Sequence, residues 1–246
     1  MDNKKKNISA RSGLIYLRED GTAEKDLQDF ALAKNEFSIM EKLYKLFPET
    51  EIEGWRYKAI RPYRLEAGSI FMERVSGKPI DSLLLGEPDI TYYPGVWLGL
   101  LHSASDACNN QVLIFSDASL SNVLIDKRNK IVVMLDPGQG FGRKVIYLVD
   151  LLSFIVGLFT FGLKKFVLPG KMVAPFLKGY YRVVSNGSFS SAQYNLAVKA
   201  VTGKYRKRWK KRGLIIKSFS FVYSVIVSIY LKVVVKKMIF NRINAR

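Results

Sequence analysis

The last 96 residues of this 246-residue chain hold 19 Lys and Arg and not a single Asp or Glu. Such a stretch cannot neutralise itself through internal ion pairs. Its cations must meet external anions: phospholipid headgroups, a phosphorylated glycan or nucleic acid. Residues 1–150 are balanced, with 21 acidic and 20 basic side chains, so the net charge of +18 resides almost wholly in the C-terminal part. The hydrophobic fraction of 48%, with 13% aromatic residues, is enough for a real core and excludes wholesale disorder. Cys108 and His102 are each the only residue of their type, which excludes an internal disulfide framework and a histidine metal site. The basic N-terminal stretch has no apolar run behind it, so no secretory signal is expected and the chain is placed in the cytoplasm.

The pattern along the chain is that of a two-lobed α+β protein. Residues 14–17 read as a strand, with a turn at Asp20-Gly21. From 26 to 47, Leu27, Phe30, Ala31, Phe37, Met40, Leu43 and Tyr44 recur at spacings of mostly three and four, one face of an amphipathic helix that Pro48 ends. Strands are expected over 55–62 and 69–75, then a breaker cluster, Ser76-Gly77-Lys78-Pro79, that suits a hinge. A helix at 95–105 carries His102, best read as a core hydrogen-bonding residue. Short strands follow at 112–115, 123–126 and 130–135. Beyond Asp150 the chain is helical and apolar over 151–163 and 173–184, and the first of these is read as a buried core helix.

The chemistry concentrates in Phe115-Ser116-Asp117 and the Asn122 that follows it, then in Asp136-Pro137-Gly138. Asp117 precedes Asn122 by five residues, and a short hairpin brings Asp136 fourteen residues later to the same point. Phosphoryl transfer needs such a set: one carboxylate to orient an acceptor hydroxyl and take its proton, and an amide oxygen with a second carboxylate to hold Mg²⁺ against a triphosphate.

In these motifs the chain resembles the aminoglycoside and choline phosphotransferase family and the related lipopolysaccharide-core sugar kinases. The resemblance spans about residues 14–180 and implies a protein-kinase-like fold, with ATP and Mg²⁺ as cofactors. It makes Asp117 the catalytic base and Asn122 and Asp136 the metal ligands. Met72-Glu73-Arg74-Val75-Ser76-Gly77 resembles the hinge strand whose backbone meets adenine, which places Glu73 and Val75 at the nucleotide. Asp150 resembles the Asp that braces the catalytic loop. Glu36 sits where the family keeps the partner of its ATP-binding lysine, and the cation facing it falls near Arg18, with Lys25 as the second candidate. The chain departs from the family at Phe115-Ser116, where a histidine and a glycine are usual, and at Pro137. The N-terminal lobe is short: 13 residues before Leu14 leave too little room for a full glycine-rich hairpin over the phosphates.

The C-terminal part adds a second theme. Residues 204–212 hold seven cations among nine, with Tyr205 and Trp209 between them. Ser220, Ser224, Ser228, Lys232 and Lys236 then recur every fourth position as a narrow polar stripe on an otherwise apolar helix. Three settings stay open for it: packed in the larger lobe, lying in a bilayer interface, or spanning. Its charge-free core of 14 residues is short for the last. The expected division is a small lobe at 1–77, a helical lobe at 78–203 and a basic, apolar helix at 204–246. The expected function is an ATP- and Mg²⁺-dependent kinase of a sugar hydroxyl on a membrane- or lipid-linked glycan such as lipopolysaccharide core. The expected location is peripheral, on an anionic membrane's inner face, and nucleic acid is the disfavoured partner. A catalytically silent pseudokinase scaffold at the membrane is the alternative.

Overall fold

The computed structural model describes residues 6–10, 13–47, 49–106, 111–114, 120–135, 140–143, 146–184, 190–210 and 214–244; side chains are described over 15–47, 49–104, 120–135, 147–184, 190–203 and 222–241. In chain order the elements are β1 (Lys6–Ala10), β2 (Gly13–Leu17), β3 (Thr22–Asp26), α1 (Phe30–Leu46), β4 (Thr50–Ile52), β5 (Trp55–Ala59), β6 (Pro62–Glu66), β7 (Ser69–Glu73) and β8 (Lys78–Pro79). They continue with α2 (Tyr92–Asp106), β9 (Gln111–Ile114), β10 (Val123–Asp126), β11 (Ile131–Met134), β12 (Gly140–Arg143), α3 (Ile146–Lys165) and α4 (Pro169–Val183). Last come α5 (Ser191–Lys210), α6 (Leu214–Tyr230), a π-helical turn (Leu231–Val235) and α7 (Lys236–Asn244).

The first lobe is a five-stranded antiparallel sheet in the order β1-β2-β3-β7-β6. Its edge differs from the sequence expectation. A further strand, β1, precedes the one that holds Leu14 and pairs with it, Ala10 opposite Gly13, so that only Arg11 and Ser12 connect the two. A two-residue connection fits where a long glycine-rich loop has no room. Helix α1 begins at Phe30, later than expected: Gln28 takes a positive φ of 56° and Asp29 caps the helix by accepting from the Leu32 N–H at 3.0 Å. It buries Ala33, Ile39, Met40 and Leu43, while Phe30 and Tyr44, expected on that face, are exposed. Ala33 and Met40 pack with Ala23, Ile70, Met72 and Val133 into the small lobe's core.

The single strand expected over 55–62 is two strands in two sheets. Pro62 opens β6 at the edge of the first sheet, where a missing N–H costs no ladder bond. β5 instead runs parallel to β11 in a second sheet of order β4-β5-β11-β10-β8. The lobes are thus tied by the strand pair β5/β11 as well as by the chain at 74–77.

The larger lobe packs around α3. Leu151, Leu152, Phe154, Ile155, Val156 and Leu158 are all fully buried, so this helix, although long and apolar enough to cross a membrane, forms core instead. Helices α2 and α4 cross at backbone contact. A Cβ on Gly95 would lie 2.1 Å from the Phe176 carbonyl oxygen, and one on Gly179 would lie 2.0 Å from that of Tyr92. Glycine is required there by closeness of approach. The C-terminal element is two helices joined by the π-turn, and α5 already runs through residue 204. Of the polar stripe, Ser224 is buried, in line with Val227, Leu231, Val235 and Ile239, whereas Lys232 is exposed. Those last three are spaced by four, and the wider π-turn offsets the drift that this spacing accumulates in an α-helix. Tyr194 of α5 donates to the Leu231 carbonyl at 2.6 Å and fixes the turn.

Candidate active site

In the small lobe, β3 lies at the centre of its sheet between β2 and β7, and it alternates inward and outward along its length. Lys25 is one of its inward residues and is 5% exposed. Its ammonium donates to the Glu36 carboxylate of α1 at 2.5 Å. Of the two cations the sequence offers for Glu36, the partner is therefore Lys25. Arg18 is turned elsewhere: its guanidinium donates to Glu24 at 2.8 Å and lies over the Phe71 ring. The reason is positional. Arg18 has left β2 for the turn into β3, whereas Lys25 shares the sheet face that α1 covers.

The hinge follows β7. The Glu73 carboxylate accepts from Lys58 of β5, a pair that joins the two sheets beside the chain at 74–77. The Lys58 carbonyl in turn accepts from the Trp97 indole at 3.0 Å. Glu73, expected to meet the nucleotide through its backbone, is seen here in a side-chain contact with Lys58. Val75 packs against the small-lobe core. The Ser76 hydroxyl donates to Asp126 at the end of β10, and Asp126 also accepts from the backbone and side chain of Asn129 at 3.0 and 2.8 Å. These donors, Ser76 foremost, hold the Asp126 carboxyl down to about 2. Gly77, at φ 139°, presses against the Ile125 backbone, where a Cβ would come within 3.0 Å. Lys58, Ser76 and Asp126 were missed in the sequence reading. Their roles arise from contacts between segments 15 to 50 residues apart, and only the breaker cluster hinted at them.

Asn122 closes the short 3₁₀ turn Leu120–Asn122 and leads directly into β10. In the hairpin of β10 and β11, Val123 pairs with Met134 and Asp126 with Ile131. One step beyond, the Leu135 N–H donates to the Asn122 carbonyl at 2.8 Å. The fourteen-residue spacing is therefore a hairpin register that sets Asn122 opposite Leu135, the residue before Asp136. Asp117 and Asp136 themselves lie outside the described residues, as do the loops at 115–119 and 136–139. His102 and Asp150 are buried together: His102 Nδ1 lies 3.0 Å from the Tyr180 hydroxyl and Nε2 3.9 Å from the Asp150 carboxylate. Both belong to helices, α2 and α3, that pack against β9. A groove of about 760 Å³ lined by Glu53, Trp55, Tyr92, Tyr93 and Arg182 lies at the far, N-terminal end of α2 and is separate from this constellation.

A cation–carboxylate pair between a central strand and a covering helix, a segment joining two lobes and a 3₁₀ turn feeding a β-hairpin are together the arrangement of a protein-kinase-like fold, and the chain has that fold. Three solved structures are similar to it over most of their length. They are the aminoglycoside phosphotransferase APH(2'')-Ib with ADP bound (TM-score 0.53, 10% identity, 93% of this chain and 94% of that one), the streptomycin–ATP–APH(2'')-IIa ternary complex (0.52, 12%, 92% and 90%) and the gentamicin–APH(2'')-IIa complex (0.53, 10%, 92% and 91%). At these identities the likeness is one of fold. No family model matches the sequence, and no curated protein matches it either.

Proposed function

We propose that the chain is an ATP- and Mg²⁺-dependent phosphotransferase that acts on a sugar hydroxyl of a membrane- or lipid-linked glycan such as lipopolysaccharide core. The observation that carries the reading is the buried Lys25–Glu36 pair at 2.5 Å, followed along the chain by a hinge segment and a hairpin in the order that nucleotide-dependent phosphoryl transfer requires. Bound Mg·ATP would supply the transferable phosphoryl group and neutralise its charge. Glu36 holds the Lys25 ammonium where it meets phosphate oxygens, and Asn122 with Asp136 provides the oxygen ligands that suit a hard divalent cation. Asp117 takes the proton of the acceptor hydroxyl as that oxygen bonds to the γ-phosphorus and the bond to the β-phosphate oxygen breaks, leaving ADP. Asp150, buried beside His102, is the positioning residue of this reading.

The acceptor is argued from charge. An aminoglycoside is a polycation, and a cleft for it would be expected to present carboxylates, of which the chain has none after Asp150. A neutral or phosphorylated glycan suits the basic lobe. The pseudokinase reading draws on the β1–β2 hairpin, whose Ala10-Arg11-Ser12-Gly13 tip holds one glycine.

The test is ATP turnover with a membrane-glycan extract, together with thermal shift by ATP with and without Mg²⁺. Asp117→Asn is expected to abolish transfer and keep nucleotide binding, and Asp136→Asn to weaken Mg·ATP binding itself. Turnover by both variants at the wild-type rate would sink the kinase reading. A wild type that Mg·ATP does not stabilise would favour the scaffold.

A further inference from the structure

Helix α3 ends in a Schellman motif: the Val167 N–H donates to the Gly162 carbonyl at 2.9 Å, and Phe166 occupies the left-handed C′ position at φ 55°. Glycine belongs at that position, because a side chain there is strained. Phenylalanine is the more costly for being 99% exposed. Neither folding nor solubility accounts for it. Leu163 and Leu168 beside it are 48% and 70% exposed, and Lys164, Lys165 and Lys171 around it are exposed as well.

The tip has a neighbour of the same character. Roughly 8 Å back along α3, Thr160 hydrogen-bonds the Tyr223 hydroxyl of α6. The side of α6 and the π-turn turned away from the core carries Val222, Ile226, Ile229 and Val233, spaced four, three and four. Each is between 45% and 63% exposed. Lys232 and Lys237 flank the end of this ridge. Lys199, Lys232 and Lys236 line a groove of about 410 Å³ beside it. Scattered exposed apolar residues are ordinary, but an aromatic tip and a continuous ridge within one carboxylate-free, cationic third are a built surface.

We propose that the face formed by the α3–α4 turn and the outer side of α6 docks on an anionic phospholipid bilayer. Phe166, Leu163 and Leu168 enter the interfacial region, the ridge lies along it, and the lysines meet headgroup phosphates. Charge complementarity selects this occupant: nothing after Asp150 on the chain repels an anionic surface, and a second copy would bring cations against cations. The proposal rests on this surface alone and stands or falls independently of phosphoryl transfer.

The experiment is co-sedimentation of the full chain with vesicles of phosphatidylcholine alone or with about a quarter phosphatidylglycerol. The wild type is expected to sediment with the anionic vesicles only, and less so as salt rises. Phe166→Gly is the decisive variant. It should leave the Tm unchanged or raise it, because glycine is the better C′ residue, and lower vesicle affinity about tenfold. Ile226→Ser with Ile229→Ser should lower it further. The proposal is overturned if the wild type binds no vesicle, if it binds both kinds equally, or if Phe166→Gly binds as the wild type does. Light scattering that shows a dimer dissociated by Phe166→Gly would assign the face to a second copy instead.

Discussion

Lys25 and Glu36 carry the strongest local statement. Both side chains are nearly removed from water, so each charge depends on the other, and breaking a buried pair costs about 3–5 kcal/mol whereas replacing both partners is often neutral. Lys25→Met should therefore lower both stability and ATP turnover. Lys25→Met with Glu36→Leu should recover most of the stability and none of the turnover. Urea denaturation and ATP hydrolysis on the same three proteins check this. Recovery of turnover by the double variant would show that the pair only supports the lobe. Arg18 offers the contrast: its partner Glu24 sits on the same hairpin, about a third of the guanidinium is open to water, and Arg18→Ala should change stability by less than about 1 kcal/mol.

Among the elements, the α2–α4 crossing is where a single methyl group has the largest effect. In an exposed helix Gly→Ala gains about 1 kcal/mol. At Gly95 or Gly179 the added Cβ meets a carbonyl oxygen near 2 Å, and the helices have to part. Gly95→Ala should destabilise by about 3 kcal/mol or more, and Gly179→Ala similarly. Both in one chain should cost less than the sum, because either alone already opens the shared contact. Chemical denaturation of the three variants measures this. A Gly95→Ala protein as stable as the wild type would mean that the helices cross further apart. The same crossing sets Tyr180 against His102, 3.0 Å from its Nδ1.

For the molecule as a whole, the two lobes are held by β5 against β11, by Lys58 with Glu73, and by Ser76 with Asp126. The last contact has a definite pH signature. Asp126 titrates near 2 in the folded protein, below the ordinary carboxylate value of about 4. The unfolded chain thus takes up the proton first. The stabilisation is complete above about pH 4 and is lost as pH falls through about 2. Ser76→Ala removes the foremost donor. It should lower stability at neutral pH by about 1–2 kcal/mol, with the difference from wild type vanishing near pH 2. Thermal denaturation across pH tests it, and a difference that stays constant with pH would remove Asp126 from the account.

What the sequence determined by itself is what depends on local order: the succession of strand, helix, breaker and helical remainder, the Asp117, Asn122 and Asp136 spacing, and the confinement of every carboxylate to residues 1–150. Hairpin geometry links Asn122 to the residue before Asp136 over a few residues, so a spacing in the chain is already a distance in space. Tertiary structure decided what depends on which faces meet. It chose Lys25 over Arg18, because only a folded sheet says which side α1 covers. It split the segment at 55–62 between two sheets, because pairing β5 with β11 is a long-range choice. It buried Ser224 and left Ile226 and Ile229 outside. A periodic pattern gives the angle between a helix's faces, but only the packed neighbours α3 and α5 decide which of them is turned inward.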